Sequence, residues 1–179
     1  MRTDQQEGCV LWFTGLPGSG KTTLATALSR VLVAREMAVS MLDGDQLRSG
    51  PHADLGFSDE DRTEHVRRVA YKAKALEQSG NVVLVALISP FERDRQMARA
   101  VIGKNFLEVF VNCPLEVCEQ RDVKGLYQKA RSGVLKAMTG IDSAYEVPRH
   151  PDIELHTNRK SISECIELLV SSPNFVKLL

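Results

Sequence analysis

Apolar and polar residues alternate along this chain in two different rhythms, one typical of strands and one of helices. Short apolar runs rich in β-forming residues predict strands at residues 9–13, 38–42, 81–88, 107–111 and 152–155. Apolar residues recur at helical spacing at residues 22–31, 58–79, 93–102 and 161–170, and in a further segment opened by Pro114. Alternating strands and helices predict an α/β fold with a parallel sheet, helices on both faces, and the ligand at the carboxyl ends of the strands.

The segment 58–79 shows most clearly how the sequence delimits its elements. Ser58 and Asp61 form a start that resembles a capping box, and Gly80 ends the predicted helix. The next run, 81–88, is almost continuously apolar. This pattern is typical of a central parallel strand that is covered on both faces.

Residues 122–150 depart from this alternation. The segment is basic, contains glycine and is poor in large aliphatic residues, which predicts a mobile flap. The cations in and beside it include Arg121, Lys124, Lys129, Arg131 and Lys136. A basic lid that closes over phosphates excludes water and stabilises charge on a transferring group. The lid therefore favours phosphoryl transfer to a bound small molecule over hydrolysis.

Length and charge narrow the class of protein. The 179 residues predict one domain, 1–179, with a polar tail at residues 1–8 and the lid at about 122–150. The 23 basic and 23 acidic residues give no net charge, so we expect neither a nucleic-acid nor a membrane partner. The four cysteines form no C-x-x-C pair, and the start of the chain lacks the apolar core of a signal peptide. We expect reduced thiols and a cytoplasmic protein.

Residues 15–22 read Gly-Leu-Pro-Gly-Ser-Gly-Lys-Thr, a complete match to the phosphate-binding pattern G-x-x-x-x-G-K-[ST]. The motif lies between a predicted strand and a predicted helix, where backbone N–H groups and the helix dipole converge on a polyphosphate. Lys21 is expected to reach the β- and γ-phosphates, and the Thr22 hydroxyl to bind Mg²⁺. The predicted ATP-binding residues of this loop are Gly15, Leu16, Pro17, Gly18, Ser19, Gly20, Lys21, Thr22 and Thr23.

Two carboxylates follow the second predicted strand. The central strand ends at Ser89 without an acid, so Asp43 and Asp45 are the nearest candidates to orient Mg²⁺ or to accept a proton from an attacking hydroxyl. An ordinary Asp-Gly turn is the alternative interpretation. The division of roles between the two acids stays open.

A group of arginines predicts the site of a second, anionic substrate. Arg48, Arg62 and Arg67 lie in or before the long helix, and Arg62 shares a helix face with His65 three residues on. An arginine there can hold an anion with two hydrogen bonds. For Arg67 and its neighbour Arg68, a solvated helix surface is the better interpretation.

Five further blocks of sequence are informative together: D-G-D-Q-L-R (43–48), D-L-G-F-S-D-E-D-R-T-E-H-V-R-R-V (54–69), L-I-S-P-F-E-R-D-R (87–95), E-V-F-V-N-C-P-L-E-V-C-E-Q-R-D-V-K-G-L-Y (108–127) and T-G-I-D-S-A-Y-E (139–146). In this order and spacing they resemble the adenylylsulfate kinase family of P-loop kinases. The resemblance runs from about residue 10 to residue 157. It implies a P-loop NTPase three-layer sandwich. It also implies transfer of the ATP γ-phosphate to the 3′-hydroxyl of adenosine 5′-phosphosulfate (APS), with Mg²⁺ and usually as a homodimer.

The same resemblance implies a set of site residues. Phe57 is expected to stack on the acceptor adenine and Arg62 to hold the phosphosulfate. Ser89 is either a phosphoserine intermediate or a hydroxyl that contacts metal or substrate, and Arg121 is assigned to ATP. The expected catalytic residues are Lys21, Asp43, Asp45 and Ser89. The expected acceptor-binding residues are Asp43, Gly44, Asp45, Gln46, Arg48, Phe57, Arg62, His65, Ile88, Ser89, Lys124, Gly140 and Ile141.

The chain departs from the family pattern at two places on the acceptor side. Gln46 and His65 stand where the family usually has Asn, and Gly50-Pro51-His52 replaces a commoner G-L-N. His65 can donate a hydrogen bond as Asn does, and we expect its charge to vary near neutral pH. The acceptor therefore stays open between APS and another nucleotide-like molecule. A non-catalytic regulatory domain is a further alternative, and association or fusion with ATP sulfurylase is a further expectation.

Overall fold

The computed structural model describes residues 7–178, so most of the predicted polar tail lies outside the described residues. The strands are β1 (Cys9–Thr14), β2 (Val39–Asp43), β3 (Val82–Ala86), β4 (Phe106–Asn112) and β5 (Ile153–His156). The helices are α1 (Lys21–Val33), α2 (Gly44–Arg48), α3 (Asp59–Gln78), α4 (Glu92–Ile102), α5 (Leu115–Arg121), α6 (Leu126–Arg131), α7 (Ile162–Ser171) and α8 (Pro173–Val176).

The five strands form one parallel sheet in the order β2-β3-β1-β4-β5. The first strand lies in the middle, with Trp12 paired to Val85 of β3 on one side and to Glu108 of β4 on the other. The chain leaves β1 toward β2 and later crosses back to β4. The carboxyl end of β1 is therefore the point at which the order reverses, where α/β sheets of this kind bind their ligands.

Helices cover both faces of the sheet, as predicted. Along β1, Leu11 and Phe13 pack in a core with the buried side of α1 and with α7, whereas Val10 and Trp12 pack in a second core with α3 and α4. This alternation follows from the two-residue period of a strand. Because both faces of the sheet are buried, its inner strands are mostly apolar, which is the pattern that predicted them.

The predicted elements are confirmed to within one or two residues at most ends. Ser58 caps α3 by accepting a hydrogen bond from the Asp61 backbone N–H at 3.1 Å. The predicted strand at 81–88 is shorter, since β3 ends at Ala86. Pro114 occupies the cap position before α5 instead of the first helical turn. The short helices α2, α6 and α8 were not predicted.

The lid segment, residues 122–150, is partly a core segment, which corrects the sequence-based expectation. Tyr127 and Met138 are buried and pack with Cys113 and Cys118 in a third, smaller apolar cluster. All four cysteines are buried and free, as predicted. Within residues 7–178, no helix is both long and apolar enough to cross a membrane.

Candidate active site

A cleft opens at the carboxyl end of β1, and the loop of residues 15–20 forms its floor. Gly15 has a φ of 152°, and a Cβ there would lie 2.6 Å from the Val111 carbonyl oxygen. Gly18 and Gly20 also have positive φ values, of 76° and 104°. These glycines let the loop turn tightly between β4 and α5 and enter α1, so that backbone N–H groups and the N-terminus of α1 face the same space.

Lys21 lies at the start of α1 and folds back over the loop. Its Nζ donates hydrogen bonds to the carbonyl oxygens of Gly15 at 2.9 Å and Leu16 at 2.8 Å. Burial lowers the pKa of this ammonium group to about 8. The lysine is thus a mostly desolvated donor next to the phosphate loop.

Asp43 links the phosphate loop to the next element of the site. Its Oδ2 accepts a hydrogen bond from the Thr22 hydroxyl at 2.7 Å. Its Oδ1 accepts from the backbone N–H groups of Asp45 at 3.0 Å and Gln46 at 3.2 Å, which caps α2. One carboxylate therefore fixes both Thr22 and the helix that carries Asp45.

The oxygens of Thr22 and Asp43 suit Mg²⁺, which binds oxygen ligands and usually keeps several waters. Residues 7–178 contain no cluster of three His, Cys, Asp or Glu side chains arranged to hold a metal. A magnesium ion bound by one hydroxyl, one carboxylate, phosphates and water requires no such cluster. The residues present therefore fit the expected ion.

Asp45 and Lys124 form an ion pair across the mouth of the cleft. Asp45 stands on α2 and Lys124 in the turn between α5 and α6, and both side chains are more than half exposed. The pair brings the lid to the wall opposite the phosphate loop. Such an exposed pair contributes little to stability, so it can open without a large cost.

The predicted acceptor side of the cleft contains Phe57 between two arginines. The Phe57 ring is 59% exposed, with the Arg48 guanidinium 4.7 Å and the Arg62 guanidinium 5.8 Å from its centre. Arg62 is buried and donates to the Phe57 carbonyl oxygen, the Thr139 hydroxyl and the Ala137 carbonyl oxygen at 3.0, 2.9 and 2.6 Å. It thereby joins α3 to the lid and keeps donors to spare.

His65 lies on α3 one turn after Arg62, and both line the cleft as predicted. The expectation that its charge varies near neutral pH is wrong. His65 is 3% exposed, and burial, reinforced by the nearby Arg48, lowers its pKa to about 3. A histidine in this surrounding is neutral at pH 7.

Ser89, just after β3, has a φ of 40°, which is unusual for a residue with a side chain. Its hydroxyl accepts from Trp12 Nε1 at 2.9 Å and donates to the Leu87 carbonyl oxygen at 3.3 Å. Arg95 donates to its carbonyl oxygen at 2.9 Å. Ser89, a residue that is 1% exposed, is therefore held from three sides, and its hydroxyl already has two partners.

Arg95 is anchored in turn by a buried carboxylate of β4. Its Nε lies 2.7 Å from Glu108 Oε1 as an ion pair, although the angle is too poor for a hydrogen bond. Burial raises the pKa of Glu108, and the neighbouring Arg95 opposes that shift. Arg95 also donates to the Glu146 carbonyl oxygen at 2.8 Å, so it ties the end of the lid to the Ser89 turn.

Most of the predicted site residues meet at this one cleft. Those that line it are Pro17, Gly18, Gly20, Lys21, Thr22, Thr23, Asp43, Gly44, Asp45, Arg48, Phe57, Arg62, His65, Ile88, Ser89 and Lys124. Gly15, Leu16 and Ser19 lie within the loop but do not line the cleft. Arg67 and Arg68 instead form ion pairs with Glu64 on the surface, as expected.

Four other predicted residues lie outside the cleft. Gly140 and Ile141 line a separate hollow beside Leu16. Gln46 is exposed and contributes its backbone N–H to Asp43. Arg121 lies behind the loop, where it donates to the Thr157 carbonyl oxygen at 2.6 Å.

The sequence did not single out two residues that fasten the phosphate loop. Tyr127 donates from its hydroxyl to the Pro17 carbonyl oxygen at 2.8 Å, and Thr157 donates to the Ser19 carbonyl oxygen at 2.7 Å. Both lie more than a hundred residues from the loop along the chain. Only the end of the 108–127 block, which includes Tyr127, gave a signal. Other lining residues that were not predicted are Val66, Ala86, Leu87, Pro90, Asp122, Val123 and Leu126.

Comparison with known proteins identifies a family for this arrangement. The sequence model described as adenylylsulphate kinase matches residues 7–156. The adenylyl-sulfate kinase of Clostridium acetobutylicum is 49% identical over 166 residues, which cover 93% of this chain and 83% of that protein.

Solved structures agree with the sequence comparison. The Mycobacterium tuberculosis APS kinase CysC, in complex with AMPPNP and APS, is 46% identical with a TM-score of 0.88, covering 92% of this chain and 96% of that one. The hexameric APS kinase from Thiobacillus denitrificans is 27% identical with a TM-score of 0.71, covering 98% of this chain but 30% of that one. This chain belongs to the adenylylsulphate kinase family, with the P-loop kinase fold.

Proposed function

We propose that the protein transfers the γ-phosphoryl group of ATP to the 3′-hydroxyl of APS and releases 3′-phosphoadenylyl sulfate. The observation that carries the proposal is the single cleft, in which a phosphate loop, a carboxylate and an aromatic-cationic pocket face one another. The similarity to an enzyme whose structure contains AMPPNP and APS supports both substrates.

ATP is expected to bind with its phosphates over the loop of residues 15–22. Lys21 then exchanges its two backbone acceptors for phosphate oxygens, which restores a counter-charge to a desolvated ammonium group. Thr22, with Asp43 or Asp45, would hold Mg²⁺, and the ion would neutralise part of the phosphate charge. The exposed Arg121 is assigned to the ATP side as well.

The acceptor nucleotide is expected to enter between α2, α3 and the lid. The exposed ring of Phe57 offers a stacking surface for its adenine. Arg62, with donors left after its three protein contacts, offers charge to the phosphosulfate. Lys124 is available for the same purpose once its exposed pair with Asp45 opens.

Asp43 is our candidate for the group that orients the 3′-hydroxyl and accepts its proton. Its position is fixed by Thr22 and by the N-terminus of α2, and it lies next to the phosphate loop. Asp45, exposed and paired with Lys124, suits contacts with the acceptor or the metal. Ser89 contributes a positioned turn, since its hydroxyl is buried and already shared by two partners.

We further propose that the chain is one kinase domain whose lid closes over both substrates to exclude water. A homodimer, location in the cytoplasm and association with ATP sulfurylase are part of this proposal. The hexamer described for the Thiobacillus denitrificans relative supports an oligomer in general.

A comparison of acceptors tests the choice of APS. The purified protein with ATP and Mg²⁺ is offered APS, adenosine 5′-monophosphate or a nucleoside diphosphate at equal concentration. We expect product with APS and at least about a hundredfold lower kcat/KM without the sulfate, because unpaired polar groups in a site discriminate strongly. Equal turnover with adenosine monophosphate would redirect the proposal to another acceptor.

A further inference from the structure

The two places at which the sequence departs from the family meet in space. His52 lies in the turn after α2, and His65 lies in the second turn of α3. Their Nδ1 atoms are 2.8 Å apart, and the rings are perpendicular with centroids 4.9 Å apart. Both side chains are buried. The two departures therefore form one hydrogen-bonded pair at the wall of the acceptor cleft.

We expect both rings of this pair to be neutral at pH 7. Burial is the main cause that lowers the pKa of each histidine, and the cations Arg48 and Arg68 act on both in the same direction. A hydrogen bond between two neutral imidazoles requires one Nδ1 to donate and the other to accept. The pair consequently has two arrangements of protons, which differ in what His65 presents at its other nitrogen.

That other nitrogen, His65 Nε2, lies beside the cleft lining without a partner. It is buried and finds no hydrogen-bond partner within residues 7–178. A Cβ added to Gly44, which lines the cleft, would lie 3.7 Å from it. A buried polar atom left unpaired is costly, so a ligand atom that pairs with it gains affinity.

The chemistry of the proposed acceptor favours a proton on this nitrogen. Arg48 and Arg68 act on both rings, and one carboxylate acts on each ring, Asp45 on His65 and Asp54 on His52, so the surrounding charges do not choose between the two arrangements. The phosphosulfate oxygens of the acceptor only accept hydrogen bonds, so an Nε2–H on His65 pairs with them and a bare Nε2 does not.

We propose that His52 is a positioning residue of the acceptor site: its Nδ1–H donates to His65 Nδ1 and so fixes His65 with an Nε2–H that donates to an oxygen of the acceptor nucleotide. This inference rests on the proposed function and adds to it a residue outside the cleft lining. It also gives a reason for the two departures to occur together. An amide at residue 65 carries its own N–H donor, whereas an imidazole needs a partner to fix its tautomer.

A direct readout is ring-nitrogen NMR of the full-length wild-type protein, with nitrogen-labelled histidine assigned through His65→Asn. We expect a protonated Nε2 and a bare Nδ1 on His65. A proton on His65 Nδ1 would overturn the proposal. Because this measurement needs no substrate, it decides the inference even if APS proves not to be the acceptor.

A double-mutant cycle supplies the kinetic test. His52→Phe keeps a ring and removes the donor, so we expect the KM for APS to rise about fivefold, the value of one net hydrogen bond. The KM for ATP and kcat should stay within about twofold. The reason is that the hydrogen bond from His65 to the acceptor is equally strong in the bound substrate and in the transition state. In the His65→Asn background, the same change should alter the KM for APS by less than about twofold.

Rescue provides the control for packing. His52→Asn places an amide N–H at the same distance along the side chain as Nδ1, so we expect a KM for APS within about twofold of wild type. Equal effects of His52→Phe in both backgrounds, or no rescue by Asn in a folded variant, would show that His52 acts through packing alone. Loss of all turnover with APS in the wild type would instead count against the proposed function.

Discussion

Asp43 connects three elements of the site, which the sequence around it does not indicate. It accepts a hydrogen bond from Thr22 on α1 and two from the first turn of α2, while it stands at the end of β2. A carboxylate with three donors is held in one orientation next to the phosphate loop. At the residue scale, this fixed orientation is what distinguishes Asp43 from the exposed Asp45.

Replacement of Asp43 by Asn tests its chemical role with little change in shape. An amide oxygen can still cap α2, since Asn is as good a cap as Asp. We expect both substrates to bind, and single-turnover phosphoryl transfer to slow by roughly 10²–10⁴-fold because the base is lost. Asp45→Asn is the matched control and should slow transfer less. Transfer by Asp43→Asn within about twofold of wild type, against that expectation, would clear Asp43 of any chemical role.

The neutral state of His65 leads to a second prediction, which concerns how the free energy of unfolding depends on pH. Its pKa is lowered from 6.5 to about 3, so the unfolded chain takes up a proton that the folded protein refuses. The part of the free energy of unfolding that depends on a neutral His65 is complete above pH 6.5. It is lost as the pH falls from 6.5 toward 3. Between pH 7 and pH 5, the wild type should lose up to about 2 kcal/mol more free energy of unfolding than His65→Asn does.

Urea denaturation at several pH values measures this difference in slope. Replacement of the exposed His150 by Asn is the control for loss of a histidine as such. Parallel pH profiles for the wild type and His65→Asn would mean that His65 becomes charged in the folded protein.

At the scale of elements, α3 carries much of the proposed acceptor side, and the sequence predicted where this helix begins. Ser58, the acidic first turn and Gly80 delimit the helix in sequence and in structure. Local chemistry of this kind is why the long elements were predictable. The short helices α2 and α6 were not, because five or six residues carry too little periodicity. Residues such as Tyr127 and Thr157 were missed for a different reason, since their hydroxyls act on a loop far away in the chain.

Ser58→Ala measures how much the cap contributes to α3. The Ser58 hydroxyl satisfies the Asp61 N–H, so its loss should lower the free energy of unfolding by about 1 kcal/mol. Ser79→Ala, at the other end of the same helix, is the matched control. Its exposed hydroxyl only donates to a carbonyl oxygen of the last turn, at 3.0 Å, and should matter little. Equal losses in chemical denaturation would contradict a specific capping role.

At the scale of the whole molecule, the order of the strands determines where the candidate site residues lie. Two halves of the sheet diverge from β1. The segment after β1 supplies the phosphate loop, the end of β2 supplies Asp43, and the segment after β3 supplies Ser89, all at one edge. The lid returns from the other half and reaches this edge through Lys124, Arg62 and Arg95. The alternation of strands and helices predicted that the site lies at this edge of the sheet. The contacts between the lid and the sheet could be seen only in the structure.

The most direct test of this account is to identify the product formed from ATP labelled in its γ-phosphate, with Mg²⁺ and APS. The labelled phosphoryl group should appear on the 3′-oxygen of APS, as read by mass and by fragmentation of the nucleotide, with one ADP formed for each product. Label released only as inorganic phosphate, or found on another position or molecule while APS stays unchanged, would contradict the proposed reaction.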